Sequence, residues 1–367
     1  MRPDFSRDVR CVFGLPFDAL TEAQAEQAVR RAIESRTRCF LSTPNLNFAI
    51  ACQSDAEFRQ SVLESDLSVA DGWPIILAAR LTGAALPERV AGSSLFERLV
   101  ASNRKPPLSV YFFGGPDGAA AAACTRLNAR DGGVICVGHD SPGFGSVAQM
   151  STPAQLERLR AASPDFVVVA LGAVKGQGWI RHNLARFDSP VVSHLGAVVN
   201  FMAGTVSRAP RWVQAARLEW LWRIREEPAL WRRYAKDGVA LVRLLATRVV
   251  PFAIDQWLAR RDRHSQATAA VQSSDVDGGV RLRLEGGWSL NNLDALRPLL
   301  AAAFDKDGAI SIDLGAVARI DSAVIGLLVL TQGAQVRAGR GWQIVGASGR
   351  AARSLHLAGA GYLLEPR

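Results

Sequence analysis

The chain of 367 residues lacks an apolar run long enough to cross a bilayer. Its most apolar helical stretch, Val239 to Ile254, carries Arg243, Arg248 and Pro251. It falls short of the roughly 20 apolar residues that a span requires. Residues 1–8 contain Asp4 and Asp8 and no apolar core, so a signal peptide is not expected. The five cysteines, Cys11, Cys39, Cys52, Cys124 and Cys136, form no CxxC pair and show no Cys/His ligand spacing. That pattern argues against a zinc site and against a disulfide framework. Cys39, Cys124 and Cys136 stand among apolar neighbours and read as packing residues, which makes a cytoplasmic compartment the expectation. There is no GxSxG, Walker loop or complete GxGxxG, so neither a nucleophile-elbow hydrolase nor a P-loop is indicated. No helix-turn-helix, RRM or zinc-finger pattern occurs, so nucleic acid is not an expected partner.

What is present is a globular composition, 49% hydrophobic and 21% charged, in a chain long enough for two or three domains. The net charge of +9 points to anionic partners, either phosphorylated substrates or an anionic membrane surface. A solvated basic face accounts for the same number.

Residues 1–200 alternate short apolar runs with amphipathic stretches. Strands are predicted at Cys39–Thr43, Leu67–Asp71, Ser109–Gly115, Gly133–Gly138, Asp165–Gly172 and Val191–Gly196. The continuous run Phe166-Val167-Val168-Val169-Ala170 fits a parallel strand buried on both faces. Helical patterns such as Thr21–Ser35 and Ala119–Ala129 separate the strands. The fold class is therefore α/β, a Rossmann-like, mostly parallel sheet, with its site at the carboxyl ends of the strands. Residues 201–263 read as a helical, Trp/Arg-rich appendage completing that site. They hold five of the nine tryptophans, and Arg208 to Arg263 contains thirteen Lys/Arg against six Asp/Glu. Trp and Arg at helical spacing suit a membrane interface, and they equally suit packing on the α/β domain with solvated arginines. Residues 264–278 read as a linker, and 279–367 as a small second α/β domain.

Asp71, at a strand end, can act as a base toward a sugar hydroxyl or cap the next helix. Thr43-Pro44-Asn45 can orient hydroxyls or diphosphate, or simply turn the chain. Gly114-Gly115, between a strand and a helix, could offer amides to phosphate. His139 and Asp140 read as adjacent polar loop residues without a nucleophile.

Ordered landmarks join these motifs: Thr43-Pro44-Asn45, Ala70-Asp71-Gly72, Arg89-Val90-Ala91-Gly92, Phe113-Gly114-Gly115, Ala170-Leu171-Gly172 with Lys175 and Trp179, Gly196, and Arg208-Ala209-Pro210 through Tyr234. Over residues 10–250 the chain resembles the WecG/TagA/CpsF family of bacterial glycosyltransferases. The resemblance implies transfer of a sugar from a UDP-sugar to a glycan on a polyprenyl diphosphate carrier, as in exopolysaccharide synthesis. It implies inversion, no metal and no cofactor, at the cytoplasmic membrane face. It places the catalytic aspartate on Asp71 and the active-site threonine on Thr43. Asn45, Arg89, Gly114, Gly115, Gly172, Lys175, Gln177 and Asn200 become substrate-binding residues, and Arg208, Arg217, Arg223 and Arg232 the diphosphate clamp. The chain departs from the family where Pro-Lys-Gln-Glu is usual (Val174-Lys175-Gly176-Gln177), and where an acidic residue is usual at Asn200 and after Gly92. These departures leave the donor sugar open and motivate a rival reading, a nucleotide-sugar-binding scaffold without turnover.

Ile312-Asp313-Leu314, Ile320-Asp321-Ser322-Ala323 and Gly341-Trp342-Gln343-Ile344-Val345-Gly346 resemble a STAS domain, which implies a protein partner. Ala323 stands where switching members carry the phosphorylated hydroxyl. Ser322 remains, as a helix cap or as a phosphoacceptor.

Overall fold

The computed structural model describes residues 2–102, 104–216, 218–261 and 268–365. Strands β1 (Val9–Val12) and β2 (Leu15–Asp18) form an antiparallel hairpin that the sequence reading did not anticipate. Six further strands, β3 (Cys39–Ser42), β4 (Leu67–Ser68), β5 (Leu108–Gly114), β6 (Val134–Asp140), β7 (Phe166–Ala170) and β8 (Val191–His194), make one sheet in the order β4-β3-β8-β7-β5-β6. Every pairing in it is parallel. The predicted Rossmann-like, mostly parallel sheet is thus present, and each strand predicted for it overlaps an observed one.

Helices α1 (Glu22–Glu34), α2 (Leu46–Ser54), α3 (Ala56–Leu63), α4 (Trp73–Leu81), α5 (Gly92–Val100), α6 (Ala119–Asn128), α7 (Pro153–Ala162) and α8 (Ala173–Asn183) connect these strands, and α9 (Gly196–Ala203) follows the last of them. Local chemistry starts them: Thr21 and Gln24 form a capping box on α1, as Thr152 and Gln155 do on α7. Apolar clusters cover the two sheet faces, one around Phe96, Phe112 and Phe166, the other around Phe113, Trp179 and Phe187. Trp179 stacks on Phe113 with ring centroids 4.1 Å apart.

The appendage follows as α10 (Arg211–Ala215), α11 (Glu219–Glu226), α12 (Trp231–Leu244) and α13 (Val250–Arg261). A π turn over Leu245–Val249 joins α12 to α13 in one continuous helix. Pro251 explains it: proline has no N–H to donate and its ring crowds the carbonyl four residues back, which the wider turn relieves.

The C-terminal domain has its own sheet, order β12-β11-β10-β9. Its strands are β9 (Ala270–Val276), β10 (Gly279–Trp288), β11 (Ala309–Ile320) and β12 (Trp342–Ala347). Three helices complete it: α14 (Arg297–Asp305), α15 (Ser322–Arg337) and α16 (Gly349–Leu357). The linker expected at 264–278 is corrected in part. Residues 264–267 lie outside the described residues, and Ala270–Val276 pairs antiparallel with β10 as an edge strand. Its small polar residues mimic a linker because an edge strand has no buried face to mark it.

Two cysteines depart from expectation. Cys124 on α6 and Cys136 on β6 form a disulfide, with Cα atoms 5.1 Å apart. Twelve residues of chain lead α6 back onto its own strand, so the two side chains meet across that crossover. The inference of a cytoplasmic compartment from unpaired cysteines loses its basis at this pair. Cys11, Cys39 and Cys52 are free and buried, as packing residues should be.

Candidate active site

The strand ends of the large sheet and the appendage enclose a cavity of about 1110 Å³. That exceeds the roughly 300–1,000 Å³ of a pocket for one drug-sized ligand, so two substrates can occupy it together. Its floor carries Thr43 after β3, Asp71 after β4, Gly115 after β5, Gly172 after β7 and His194 at the end of β8. The facing wall is α11 and α12, through Glu219, Trp220, Trp222, Arg223, Arg233, Tyr234 and Asp237. Phe144, on the loop after β6, is fully exposed at the rim.

Asp71 is held from several sides. Its backbone N–H donates to the Pro44 carbonyl (3.1 Å), and the Gly92 amide at the start of α5 donates to its carboxylate. Gly92 is required there: a Cβ would lie 2.4 Å from Leu195 Cδ2 and 3.3 Å from Thr43 Oγ1. Burial pushes the Asp71 carboxyl up to about 6, and the Glu219 charge adds to this, while Arg89, Arg208 and the Gly92 amide act to lower it. A carboxylate so tuned remains mostly ionised at neutral pH yet is more basic than a free aspartate, as a general base should be.

The guanidiniums do not stand idle. Arg89 Nη1 donates to Glu219 Oε1 of α11 at 2.7 Å. Arg208 reaches Glu97 and donates to Ser94 Oγ (2.5 Å), both on α5. Arg223 pairs with Glu227 at 3.0 Å and lies 5.8 Å from the Phe201 ring centroid. An anionic ligand entering here competes with carboxylates already in place.

Of the residues singled out in the sequence, Thr43, Asn45, Asp71, Arg89, Gly115, Gly172, Lys175, Asn200, Arg208 and Arg223 line this one cavity. Asn45 Oδ1 also caps α2 by accepting from the Phe48 amide at 3.2 Å. Lys175 Nζ donates to the Gly145 carbonyl (3.0 Å), tying α8 to the rim loop. Three residues are placed otherwise. Gly114 packs strands: its φ is +99°, and a Cβ would meet the Ala170 carbonyl oxygen at 2.7 Å. Its neighbour Gly115 spends its amide on the same carbonyl, also at 2.7 Å, so this turn does not offer that N–H to phosphate. Gln177 is buried behind the cavity, donating through Nε2 to Ser42 Oγ (2.9 Å). Arg232 lies over the Trp231 ring, away from the cavity, and Arg233 takes the wall position. The helical period explains the exchange, since Arg233, Tyr234, Asp237, Gly238 and Leu241 form one stripe of α12. Arg217 lies outside the described residues. His139 and Asp140 end β6 and lie outside this cavity, with Asp140 bound by Arg158 and the Tyr111 hydroxyl.

The sequence reading missed His194, Glu219, Arg233 and Asp237. His194 occupies space that Gly176 leaves open, since a Cβ on Gly176 would lie 2.2 Å from His194 Cδ2. Burial pushes the imidazole down to about 4, so it is neutral at pH 7. Its Nε2 and the Asn200 Oδ1 are both buried, with no hydrogen-bond partner among the described residues. The unusual Gly176 thus has a physical consequence: it seats a neutral imidazole in the cavity floor. Asp237 accepts from Asn47 of α2, which links the appendage to the sheet domain.

Among the described residues, no group of three or more His, Cys, Asp or Glu is placed to hold a metal ion. No helix there is long and apolar enough to cross a membrane.

The site is that of an α/β protein whose cavity carries a buried carboxylate and several guanidiniums at the carboxyl edge of a parallel sheet. Residues 10–252 match the glycosyl transferase WecG/TagA/CpsF family, and residues 271–365 match the MlaB-type STAS domain. The chain belongs to the WecG/TagA/CpsF family of glycosyltransferases, with a STAS domain at its C-terminal side. It is similar to the N-acetylglucosaminyldiphosphoundecaprenol N-acetyl-beta-D-mannosaminyltransferase of Bacillus subtilis (strain 168), 25% identical over 201 residues, which are 55% of this chain and 77% of that protein. The protein of the same name from Staphylococcus aureus (strain NCTC 8325 / PS 47) is 22% identical over 214 residues, 58% of this chain and 82% of that protein.

Proposed function

We propose that the chain moves a sugar from a UDP-sugar to a glycan on a polyprenyl diphosphate carrier, with inversion and without a metal, in exopolysaccharide or related surface-glycan synthesis. The observation that carries this reading is Asp71, raised toward neutrality on the cavity floor and flanked by Arg89 and Arg208. Asp71 takes the proton of the acceptor hydroxyl as that oxygen attacks the anomeric carbon. The C–O bond to UDP breaks from the opposite face, and the electron pair leaves with the diphosphate. Arg89, Arg208, Arg223 and Arg233 neutralise that charge, the part a divalent cation plays in other transferases. Thr43, against Gly92 and close to Asp71, orients the acceptor hydroxyl. The names of the relatives support a lipid-diphosphate sugar acceptor, while His194 and Asn200, which line the cavity, and Gly176, which makes room for His194, set the donor side of this chain apart.

The acceptor sits in a membrane, and the appendage has a surface to meet it. Trp212, Leu221 and Trp231 are exposed, as is a stripe of Val239, Val242, Val250, Ile254, Trp257 and Leu258 along α12 and α13. Apolar side chains among arginines suit the headgroup region of an anionic leaflet. The protein therefore works peripherally at the inner face of the cell membrane.

The pairing of Arg89 with Glu219 and of Arg208 with Glu97 favours a second reading, a nucleotide-sugar-binding scaffold in which these guanidiniums stay engaged by carboxylates and do not stabilise a leaving diphosphate. Release of UDP from a panel of UDP-sugars, with and without a short-chain polyprenyl-diphosphate sugar, separates the two. Acceptor-dependent release lost in Asp71→Asn supports transfer; nucleotide-sugar binding with no release across the panel supports the scaffold.

A further inference from the structure

The match of residues 271–365 to a STAS domain implies a protein partner, and the resemblance places the switching position beside Ser322 at the start of α15. Here that position is already covered. Helix α15 is buried on nearly all sides, with one side on its own sheet and the other on the β1–β2 hairpin and α3 of the catalytic domain. Ser322, 4% exposed, donates to the Cys11 carbonyl at 2.8 Å. Gly326 and Gly333, seven residues apart on one helical face, permit the approach. A Cβ on Gly326 would meet Arg10 and Cys11 backbone atoms at 3.1 Å, and one on Gly333 the Leu63 carbonyl oxygen at 2.1 Å. Tyr362 donates to the Gly14 carbonyl (2.6 Å), and Arg337 bridges to Asp66 (2.6 Å). One hydrophobic core runs through both domains, from Phe17, Phe48 and Ile75 to Trp288, Ile325 and Leu355.

The same domain grips α13. Phe252 lies in the shared core. Gln256, 4% exposed, donates to the Ile320 carbonyl at 2.9 Å and accepts from Arg319. Arg248 donates to the His356 carbonyl, and Asp255 accepts from Ser354 (3.2 Å) and pairs with Arg353 (3.3 Å). Helix α13 continues through the π turn into α12, whose Arg233, Tyr234 and Asp237 form the cavity wall.

We infer that the partner of this STAS domain is the catalytic domain of its own chain, and that it serves as a brace fixing the cavity-wall helix through α13. It is not a phosphoswitch while docked, because the Ser322 hydroxyl is sealed beneath the hairpin. Bracing keeps the guanidinium wall facing Asp71 whether or not a membrane is present.

The test uses the full chain carrying Arg248→Ala, Asp255→Ala and Gln256→Ala, which cut the polar seam and leave the apolar residues of the shared core in place. Amide hydrogen exchange is followed by mass spectrometry. Exchange across 231–244 should accelerate at least about tenfold, the worth of one to two net hydrogen bonds out of the five contacts cut. Exchange in β5, β7, β10 and β11 should stay unchanged. Unaltered exchange at 231–244 overturns the inference. So does acceleration spread evenly through both sheets, which marks a loss of overall stability. Should the triple variant not fold, Asp255→Ala alone carries the comparison, with an effect of about threefold and the same two overturning results. The exchange readout does not depend on the proposed reaction, so failure of UDP-sugar turnover leaves this test intact.

Discussion

Replacing Asp71 with Asn should abolish transfer and, at neutral pH, stabilise the protein. The carboxyl is raised from its ordinary 3.8 to about 6, first by burial and then by Glu219. At 1.36 kcal/mol per tenfold, the ionised group costs the folded state up to about 3 kcal/mol. Asp71 borders an open cavity, and water there tempers the cost, so about 1–2 kcal/mol is expected. The sign follows from the raised value. The contribution of the protonated carboxyl to stability is fully present below about pH 4 and is lost as pH rises through about 6. Asn has no charge to desolvate, and Arg89 keeps Glu219 as a partner. Thermal unfolding should therefore show a gain of roughly 2–4 °C for Asp71→Asn at pH 7.5, shrinking to nothing near pH 4. Turnover at pH 7.5 should fall by at least about 10² to 10⁴, to below detection. A variant that is unchanged or less stable at pH 7.5 would refute the picture of a desolvated carboxylate held for catalysis.

Four other outcomes are expected. The wild-type rate should decline about tenfold per pH unit below about 6; in a pH–rate profile, Arg89→Ala should move that limb up and Glu219→Gln move it down. Gly176→Ala drives a Cβ into His194, and its loss of stability by denaturant unfolding should be largely recovered in the double variant with His194→Ala, a coupling of about 1 kcal/mol or more. Gly333→Val places its side chain against the Leu63 backbone and should cost at least about 1–3 kcal/mol in the same assay, lowering the unfolding midpoint of both domains together. Trp212→Glu with Trp231→Glu should weaken sedimentation with anionic liposomes severalfold; Trp222, whose Nε1 donates to the Ser207 carbonyl (3.1 Å), should matter less for it.

The large sheet was readable because buried parallel strands are continuous apolar runs, and Phe166–Ala170 shows this without ambiguity. Thr43 and Asp71 could be assigned to one site because strand carboxyl ends converge in such a fold. The β1–β2 hairpin escaped notice because its two strands are four residues each, and Phe13-Gly14 is a short turn. The shared core had one visible signal, Ser322 to Gln335, which is apolar all round with glycines seven apart. A helix without a polar face has no solvent side and must be covered twice. Arg233 was passed over for Arg232 because the arginine pair is adjacent, and only the phase of the helix decides which one faces the cavity. His194 and Gly176 are far apart in sequence, and their packing exists only in three dimensions. The Cys124–Cys136 pair was hidden by the odd cysteine count.

The central claim is that this cavity joins a sugar to a lipid-borne glycan. Mass spectrometry of a short-chain polyprenyl-diphosphate sugar, incubated with the full chain and a UDP-sugar panel, tests it most directly. The account predicts a lipid product heavier by one sugar residue with wild type and none with Asp71→Asn. An unmodified lipid with every donor, from a protein that still binds nucleotide-sugar, would contradict it, as would the same product from Asp71→Asn at the wild-type rate.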